Sequence, residues 1–337
     1  MKFNRGSFQF AFQTAKDEAA TDPLYYLRLL SGTQIGPDRE VQTKRTAESG
    51  RASDGVSVIG PMGSGGTVNF VCQPSAVAAV LYGSLGKCVS TGGTAPYSHA
   101  ITPEQDESIP WITGWVQIDT IRMKIVNLKI SMLKLVVSSA DRLCVGQMDL
   151  LGAGAAYYQT AAPDNPVTAE AIANLFNWNQ ANGAWKLDGS TVGYIHTFEH
   201  TINNNLQGIP GEDYYFYDIQ EGPLDLDYAA TITIIDASQY NTLVWGSASP
   251  SDNAEPSAAV ATGSFATKFT HTAASPGPEV SWGINVTASQ YRNALPKLQI
   301  DPDGKPQDLR LEARCTGSDP KITHTVKNAT ASYSVGS

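Results

Sequence analysis

Residues 67–84 read TVNFVCQPSAVAAVLYGS and contain two hydrophobic periodicities in succession. Apolar residues alternate over Thr67 to Cys72, which predicts a half-buried β-strand. Pro74 and Ser75 then supply a helix start, and Gly83 and Gly86 supply a stop. We therefore predict a strand that leads into a short helix near residues 75–83.

The same pattern recurs further along the chain. Residues 231–247 read TITIIDASQYNTLVWGS and align with the first stretch with a single gap. Both stretches read strand, short helix, aromatic residue and glycine, and each is followed by more alternating segments. This echo predicts a duplicated unit of β-strands with one helix, with domains over residues 1–165 and 166–337. Chance similarity is the alternative, because strand–helix–glycine patterns are common.

Alternating segments rich in β-branched residues dominate the rest of the chain, and clusters of turn-forming residues separate them. A further helix pattern runs from Thr168 to Phe176, with Glu170 in its first turn. The run Gly60 to Gly66 reads as a strand-reversing turn. The sequence therefore predicts a mainly β protein in which hairpins are the usual connection. Its clearest further strands are Trp111 to Thr120, Ile121 to Val137, Tyr194 to Ile202 and Ser281 to Thr287.

Residues 36–60 have no apolar pattern and form too long a stretch for an ordinary hairpin turn. We predict a projecting or disordered loop there. Its charged residues have mixed sign and are Arg39, Glu40, Lys44, Arg45, Glu48, Arg51 and Asp54.

The composition is that of a globular protein with few charges. Of 337 residues, 42% are apolar and 16% are charged, and the net charge is −9. Because phosphate binding needs clustered cations, this balance argues against a protein whose surface grips nucleic acid. No apolar stretch has the length of a signal peptide or a membrane span, so we expect synthesis in the cytosol. The four cysteines show no Cys-x-x-Cys pair, and we expect free thiols.

No arrangement of residues predicts catalysis, a cofactor or a metal site. His196 and His200 fall on one face of a predicted strand, but the His-Glu-x-x-His spacing of a metalloprotease is absent. The glycines before Thr67 lead into a strand, whereas a phosphate-binding loop leads into a helix. The acidic clusters lack calcium-loop spacing and read as solvated charge. We therefore expect a protein that is not an enzyme.

Several short motifs, each of low specificity by itself, follow one another in a characteristic order. They are GGTVNF from Gly65, the helix end LYGSLG up to Gly86, Tyr97-Ser-His, Ile109-Pro-Trp, the alternating block Ile118 to Val137, and the later blocks Gly193 to Asn205 and Lys321 to Asn328. This order resembles that of the major tail tube proteins of long, non-contractile-tailed bacteriophages. The resemblance spans nearly the whole chain and rests on patterns of strand, glycine and aromatic residue.

The resemblance implies a tail-tube-type β-sandwich or barrel with a short flanking α-helix, duplicated within the chain if the internal echo is real. Copies of the chain would assemble edge to edge into rings, and stacked rings would form the hollow tail tube through which the phage genome passes. Two units per chain favour homotrimeric, pseudo-hexameric rings, and homohexamers are the alternative. Tape measure and tail-end proteins are implied partners. Double-stranded DNA would pass through an acidic or neutral lumen without specific binding.

The loop at residues 36–60 is the candidate contact between rings or neighbouring subunits, because a long loop with mixed charge can reach across an interface. A loop that is merely solvated is the alternative. The six tryptophans leave a second function open, since exposed indole rings could stack on sugars in an accessory carbohydrate-binding module of a virion or cell surface. Core or subunit contacts are the simpler use of these side chains.

Overall fold

The computed structural model of the protein describes most of the chain in ranges separated by short gaps. These ranges are residues 6–45, 55–105, 108–171, 174–181, 184–192, 194–212, 214–234, 237–257, 262–271, 279–292, 307–316 and 320–334. Strands make up 57% of the structure and helices 9%. The mainly β prediction is therefore confirmed.

The first half contains ten strands and a buried helix. In chain order they are β1 (Gly6–Phe12), β2 (Tyr25–Leu27), β3 (Gln34–Arg45), β4 (Gly55–Val71), α1 (Pro74–Leu85), β5 (Gly86–Thr91), β6 (Tyr97–Pro103), β7 (Ile112–Ile118), β8 (Ile121–Ser138), β9 (Cys144–Gly152) and β10 (Ala156–Tyr158).

The second half also contains ten strands and a helix, after a 3-10 turn at Trp178–Ala181. In chain order they are β11 (Lys186–Leu187), β12 (Ser190–Thr191), β13 (Ile195–Asn203), β14 (Gln207–Pro210), β15 (Phe216–Gln220), β16 (Asp225–Ile234), α2 (Ala237–Trp245), β17 (Thr262–His271), β18 (Val280–Tyr291), β19 (Gln307–Thr316) and β20 (Ile322–Asn328).

Both halves arrange six strands in the same order. In the first half the order is β1-β7-β8-β9-β4-β3, and in the second it is β11-β17-β18-β19-β16-β13. Every neighbouring pair is antiparallel. If the six strands of each half are numbered by their position in the chain, both sheets place them in the order first, fourth, fifth, sixth, third, second. The helix follows the third strand in both halves, and a seventh strand, β10 or β20, pairs with the fifth.

Two strand pairings join the halves. The C-terminal part of β8 pairs with β13 from Met132↔Asn203 to Ser138↔Thr197. Strand β6 pairs with β20. Large antiparallel sheets result, and they do not close into a barrel in the described structure.

Helix α1 lies inside the molecule between strands of both halves. Eleven of its twelve residues are buried, and it packs on β8, β6 and β20. A helix that is apolar on all sides must be covered on all sides, so the position follows from the alanine- and valine-rich sequence. The helix ends at Gly86, whose φ of 88° is the left-handed conformation that glycine favours at this position.

The loop predicted at residues 36–60 is replaced by strands in the described residues. Strands β3 and β4 pair antiparallel from Gln34↔Thr67 to Arg45↔Gly55. The run Gly60 to Gly66, predicted as a turn, lies within β4. A Cβ on Gly66 would lie 2.1 Å from the carbonyl oxygen of Gln34. Glycine is therefore needed here for close approach of the neighbouring backbone rather than for a chain reversal.

In the described part of the segment predicted as a helix, Thr168 to Phe176, the helical conformation is limited to a 3-10 turn at Asn174. Glu170 instead caps the N-terminus of α1, which lies far from it in the sequence. Its carboxylate accepts hydrogen bonds from the Ser75 hydroxyl at 2.5 Å and the Ser75 N–H at 3.4 Å. A carboxylate at the positive end of a helix is favourable, and this tertiary contact outweighs the local helix propensity. Burial raises the pKa of Glu170.

Candidate assembly surfaces

Strands β3 and β4 continue as a two-stranded ribbon beyond the main sheet. The pairing of β4 with β9 ends at Ser64, whereas β3 and β4 go on pairing as far as Arg45 and Gly55. We call residues 38–45 and 55–63 the ribbon. At about 3.3 Å per residue it extends roughly 30 Å.

The hairpin β14–β15 supports the base of the ribbon. The Met62 N–H donates to the Tyr214 carbonyl oxygen, and Met62 forms a parallel bridge with Tyr215. The ring of Phe216 lies so close to Gly63 that an added Cβ there would be 3.2 Å from it. These contacts fix the direction in which the ribbon leaves the body of the protein.

The seven predicted contact residues fall on the ribbon or beyond it. Arg39 is exposed on β3, opposite Met62. Glu40, Lys44 and Arg45 occupy backbone positions in the same strand. The remaining three lie outside the described residues: Glu48, Arg51 and Asp54.

Strand β3 has an open edge. Among the described strands it pairs with β4 alone, and the side chains from Gln34 to Arg39 are half-buried or exposed. The corresponding strand of the second half is β13, which has β16 on one side and β8 on the other. An open edge presents N–H and C=O groups that can pair with another strand.

The outer face of β8, β13, β16 and β19 carries charges that neutralise one another. The Lys134 ammonium lies 2.9 Å from Glu199. Arg314 contacts Asp225 at 3.0 Å and Asp227 at 3.1 Å. Further ion pairs join Arg292 to Asp227 at 3.4 Å and Arg310 to Glu312 at 2.8 Å. The acidic pair at residues 225 and 227 is therefore explained by ion pairing.

The prediction that His196 and His200 share a strand face is wrong. A β-bulge between Ile195 and Thr197 inserts one extra residue, which reverses the alternation on one side of it. His196 consequently lies on the outer face beside Asp308 at 3.6 Å, whereas His200 is buried. Among the described residues, no group of three or more histidine, cysteine, aspartate or glutamate side chains could hold a metal ion.

The buried histidines predict acid sensitivity. His200 and His324 pack with ring centroids 5.2 Å apart. Burial lowers the pKa of His200 to about 4, and burial together with the neighbouring His200 lowers the pKa of His324. The backbone oxygen of Asp227 accepts a hydrogen bond from His200 Nδ1 at 3.0 Å.

We expect the unfolding free energy to fall as the pH drops from about 6.5 towards 4. In this window the unfolded histidines bind protons while the folded ones stay neutral, which costs about 1.4 kcal/mol per pH unit for each. Urea unfolding between pH 4 and 7 measures the slope. The variant His200→Phe should flatten it, and His271→Gln serves as the control. An unchanged slope in His200→Phe would contradict this assignment.

The tryptophans do not form an open sugar-binding face. All six indole rings are buried or half-buried. Trp185 and Trp282 are less than 5% exposed and pack among other aromatic rings. The exposed aromatic side chains of the described residues include Tyr158, Tyr214 and Tyr217. Core packing therefore accounts for the tryptophans, as the sequence suggested.

The open edge of β3 was not predicted from the sequence, because only the charged residues of segment 36–60 were identified as candidate contacts. The echo between residues 67–84 and 231–247 relates β4 to β16. Strands β3 and β13 become counterparts only through their pairing with those two strands in the fold.

Comparison with known proteins agrees with the fold. A family model described as phage tail tube protein matches residues 4–317, and no curated protein matches the chain. No helix in the described ranges is both long and apolar enough to cross a membrane. The match covers nearly the whole chain and confirms the resemblance drawn from the order of strands, glycines and aromatic residues. The chain belongs to the phage tail tube protein family, whose role is structural and lies in the virion tail.

Proposed function

We propose that this protein self-assembles into stacked rings that form the hollow tail tube through which the phage genome enters the host. It is made in the host cytoplasm, is not an enzyme and works within the assembled virion. Each chain supplies two tube-type units, over residues 1–165 and 166–337, and three chains complete a pseudo-hexameric ring.

The pairing of β8 with β13 carries this proposal. It joins strands of two halves that share one strand order, so it is a junction between two similar units within one chain. In a ring with six similar junctions, the same kind of strand pairing also joins neighbouring chains. The counterpart of β13 is β3, and the counterpart of β8 is β18. The open edge of β3 therefore accepts a strand from the second half of the neighbouring chain.

The register of this contact follows from the internal echo. Thr67 and Thr231 occupy equivalent positions in the two stretches, and they lie opposite Gln34 and Thr197 respectively. The seven residues of β13 that pair with β8 consequently correspond to residues 34–40 of β3. Backbone pairing over this length satisfies an edge that would otherwise promote aggregation.

The ribbon then reaches away from the ring towards the next one. Its length of roughly 30 Å, its mixed charge and its rigid base at β14–β15 favour a contact between rings over a solvated hairpin. The tape measure protein and the tail-end proteins are the other expected partners, at the inside and the ends of the tube.

Ion pairing on the outer sheet face is consistent with DNA that passes without being held. Lys134, Arg310 and Arg314 on this face each contact a carboxylate. Phosphate binding would have to compete with these ion pairs. We propose this face as part of the lumen wall.

Negative-stain electron microscopy of the purified protein at high concentration tests the function. We expect hollow tubes or stacked rings, and the mass of a single ring should equal three copies of the 36.0 kDa chain. Six copies would overturn the two-unit proposal and leave the tube intact. Monomers at every concentration, together with saturable glycan binding, would instead favour the accessory carbohydrate-binding module.

A further inference from the structure

Two buried cysteines face each other across β4 and β9. Pairing of the strands runs up to Val71↔Val145, and the next residues on each side are Cys72 and Cys144. The Cys72 N–H donates to the Cys144 carbonyl oxygen at 2.9 Å. The two cysteines share this one backbone hydrogen bond, and the remaining backbone groups of the pair bond to Phe176 instead.

The two side chains share one face of the sheet, and both are at most 1% exposed. Both are free thiols. Burial and a hydrogen bond between the two thiols raise the pKa of Cys72. The other cysteines, Cys88 and Cys315, lie on β5 and β19, in other parts of the sheets. Only one cysteine pair of this chain therefore stands in cross-strand register.

The segment that connects the two halves is attached at the same point. The Phe176 N–H donates to the Cys72 carbonyl oxygen, and the Cys144 N–H donates to the Phe176 carbonyl oxygen, each at 3.0 Å. Phe176 is fully buried and packs against Phe269 and Trp282 of the second half. A covalent link between the two cysteines would therefore brace the position where the connecting segment docks.

We propose that Cys72 and Cys144 are an oxidative modification site at which a hydroperoxide forms an intrachain disulfide. One thiol attacks the peroxide oxygen, the O–O bond breaks, and a sulfenic acid and one water form. The second thiol then attacks the sulfenic sulfur, the S–S bond forms, and a second water leaves. Overall, two thiols and one hydrogen peroxide give one disulfide and two waters, so the thiols are oxidised and the peroxide is reduced.

This modification suits a protein that is made in a reducing cytosol and later exposed to an oxidising medium. Burial raises the pKa of Cys72 and makes the attack of its thiol on the peroxide slow. Once the first thiol is oxidised, the second step is rapid because the two thiols already contact each other. The inference does not depend on ring assembly.

Mapping of the disulfide in the full-length protein tests the proposal. The folded protein is treated with hydrogen peroxide, free thiols are blocked with an alkylating reagent under denaturing conditions, and peptides are identified by mass spectrometry. We expect one linked pair, Cys72 with Cys144, and a thermal midpoint raised by about 5 °C, reversed by a reductant. The variant Cys88→Ser with Cys315→Ser should give the same link and the same shift.

Two results would overturn the proposal. One is alkylation of Cys72 and Cys144 after peroxide treatment that oxidises other thiols of the protein. The other is a disulfide that involves Cys88 or Cys315 in place of this pair. Because the link is mapped in the unmodified chain, neither result depends on a cysteine variant that might not fold.

Discussion

Trimming the ribbon should abolish tubes and leave a folded protein. The change replaces residues 39–62 by the two-residue turn Asn-Gly, which suits a tight hairpin between Asp38 and Gly63, a directly opposed pair. The sheet below Ser64 keeps all its partners. Since the removed part is the proposed contact between rings, we expect the critical concentration for tubes to rise on the order of 100-fold or more, as about 3 kcal/mol of lost contact implies. Electron microscopy and light scattering measure it.

The trimmed protein keeps Gln34 to Asp38, which are five of the seven β3 residues proposed to pair with the neighbouring chain, so single rings can still form. Circular dichroism and an unchanged urea midpoint would show that the monomer is folded. The variant Asp252→Asn with Glu255→Gln removes charge from the exposed segment after α2 and should assemble normally. Normal tubes from the trimmed protein would refute the ribbon as the contact between rings.

The helices and strands that bury an apolar face were predicted from the sequence. Helix α1 and the strand before it were predicted because Val77, Val80 and Leu81 must be covered and because Pro74 marks a start. The pattern at residues 231–247 predicted α2 in the same way. The mainly β class followed from alternation in segments such as Ile121 to Val137.

The ribbon was missed because its described side chains are exposed or half-buried. A strand that is polar on both sides shows no period of two, so residues 36–60 read as a loop. The positions of His196 and Glu170 were missed for different reasons. A bulge shifts His196 to the other face, and a tertiary contact with Ser75 draws Glu170 out of its own helix pattern. Such features depend on the partner strand or helix, which local patterns do not contain.

The strand order of the two halves could not be read from the sequence alone. The echo covers one strand and one helix, whereas the order depends on which edges meet. Its consequence for assembly, an open β3 edge opposite an occupied β13 edge, becomes visible only when both halves are seen folded.

Replacing Glu221 by glutamine should strongly destabilise the fold, because it leaves a buried cation without a counter-charge. The Lys129 side chain is 3% exposed, and its ammonium lies 2.6 Å from the Glu221 carboxylate. The same ammonium lies 4.4 Å from the ring centroid of Trp111, and the carboxylate accepts a hydrogen bond from the Ile109 N–H. Loss of one partner of a buried ion pair costs about 3–5 kcal/mol. Because Glu221 is 26% exposed, we expect the lower end of that range in urea unfolding.

The double variant Lys129→Met with Glu221→Gln separates charge burial from lost packing. Methionine fills a similar volume beside Trp111 and needs no counter-charge, so most of the lost unfolding free energy should return.

A control with an exposed pair is Glu279→Gln, since Glu279 contacts Lys268 at 3.0 Å with both side chains about half exposed. Exposed pairs contribute at most about 1 kcal/mol, and we expect a correspondingly small change. If Glu221→Gln and Glu279→Gln had equal effects, burial of Lys129 would not be the cause. If the double variant were as unstable as Glu221→Gln, the carboxylate would act through the Ile109 N–H rather than through the lysine.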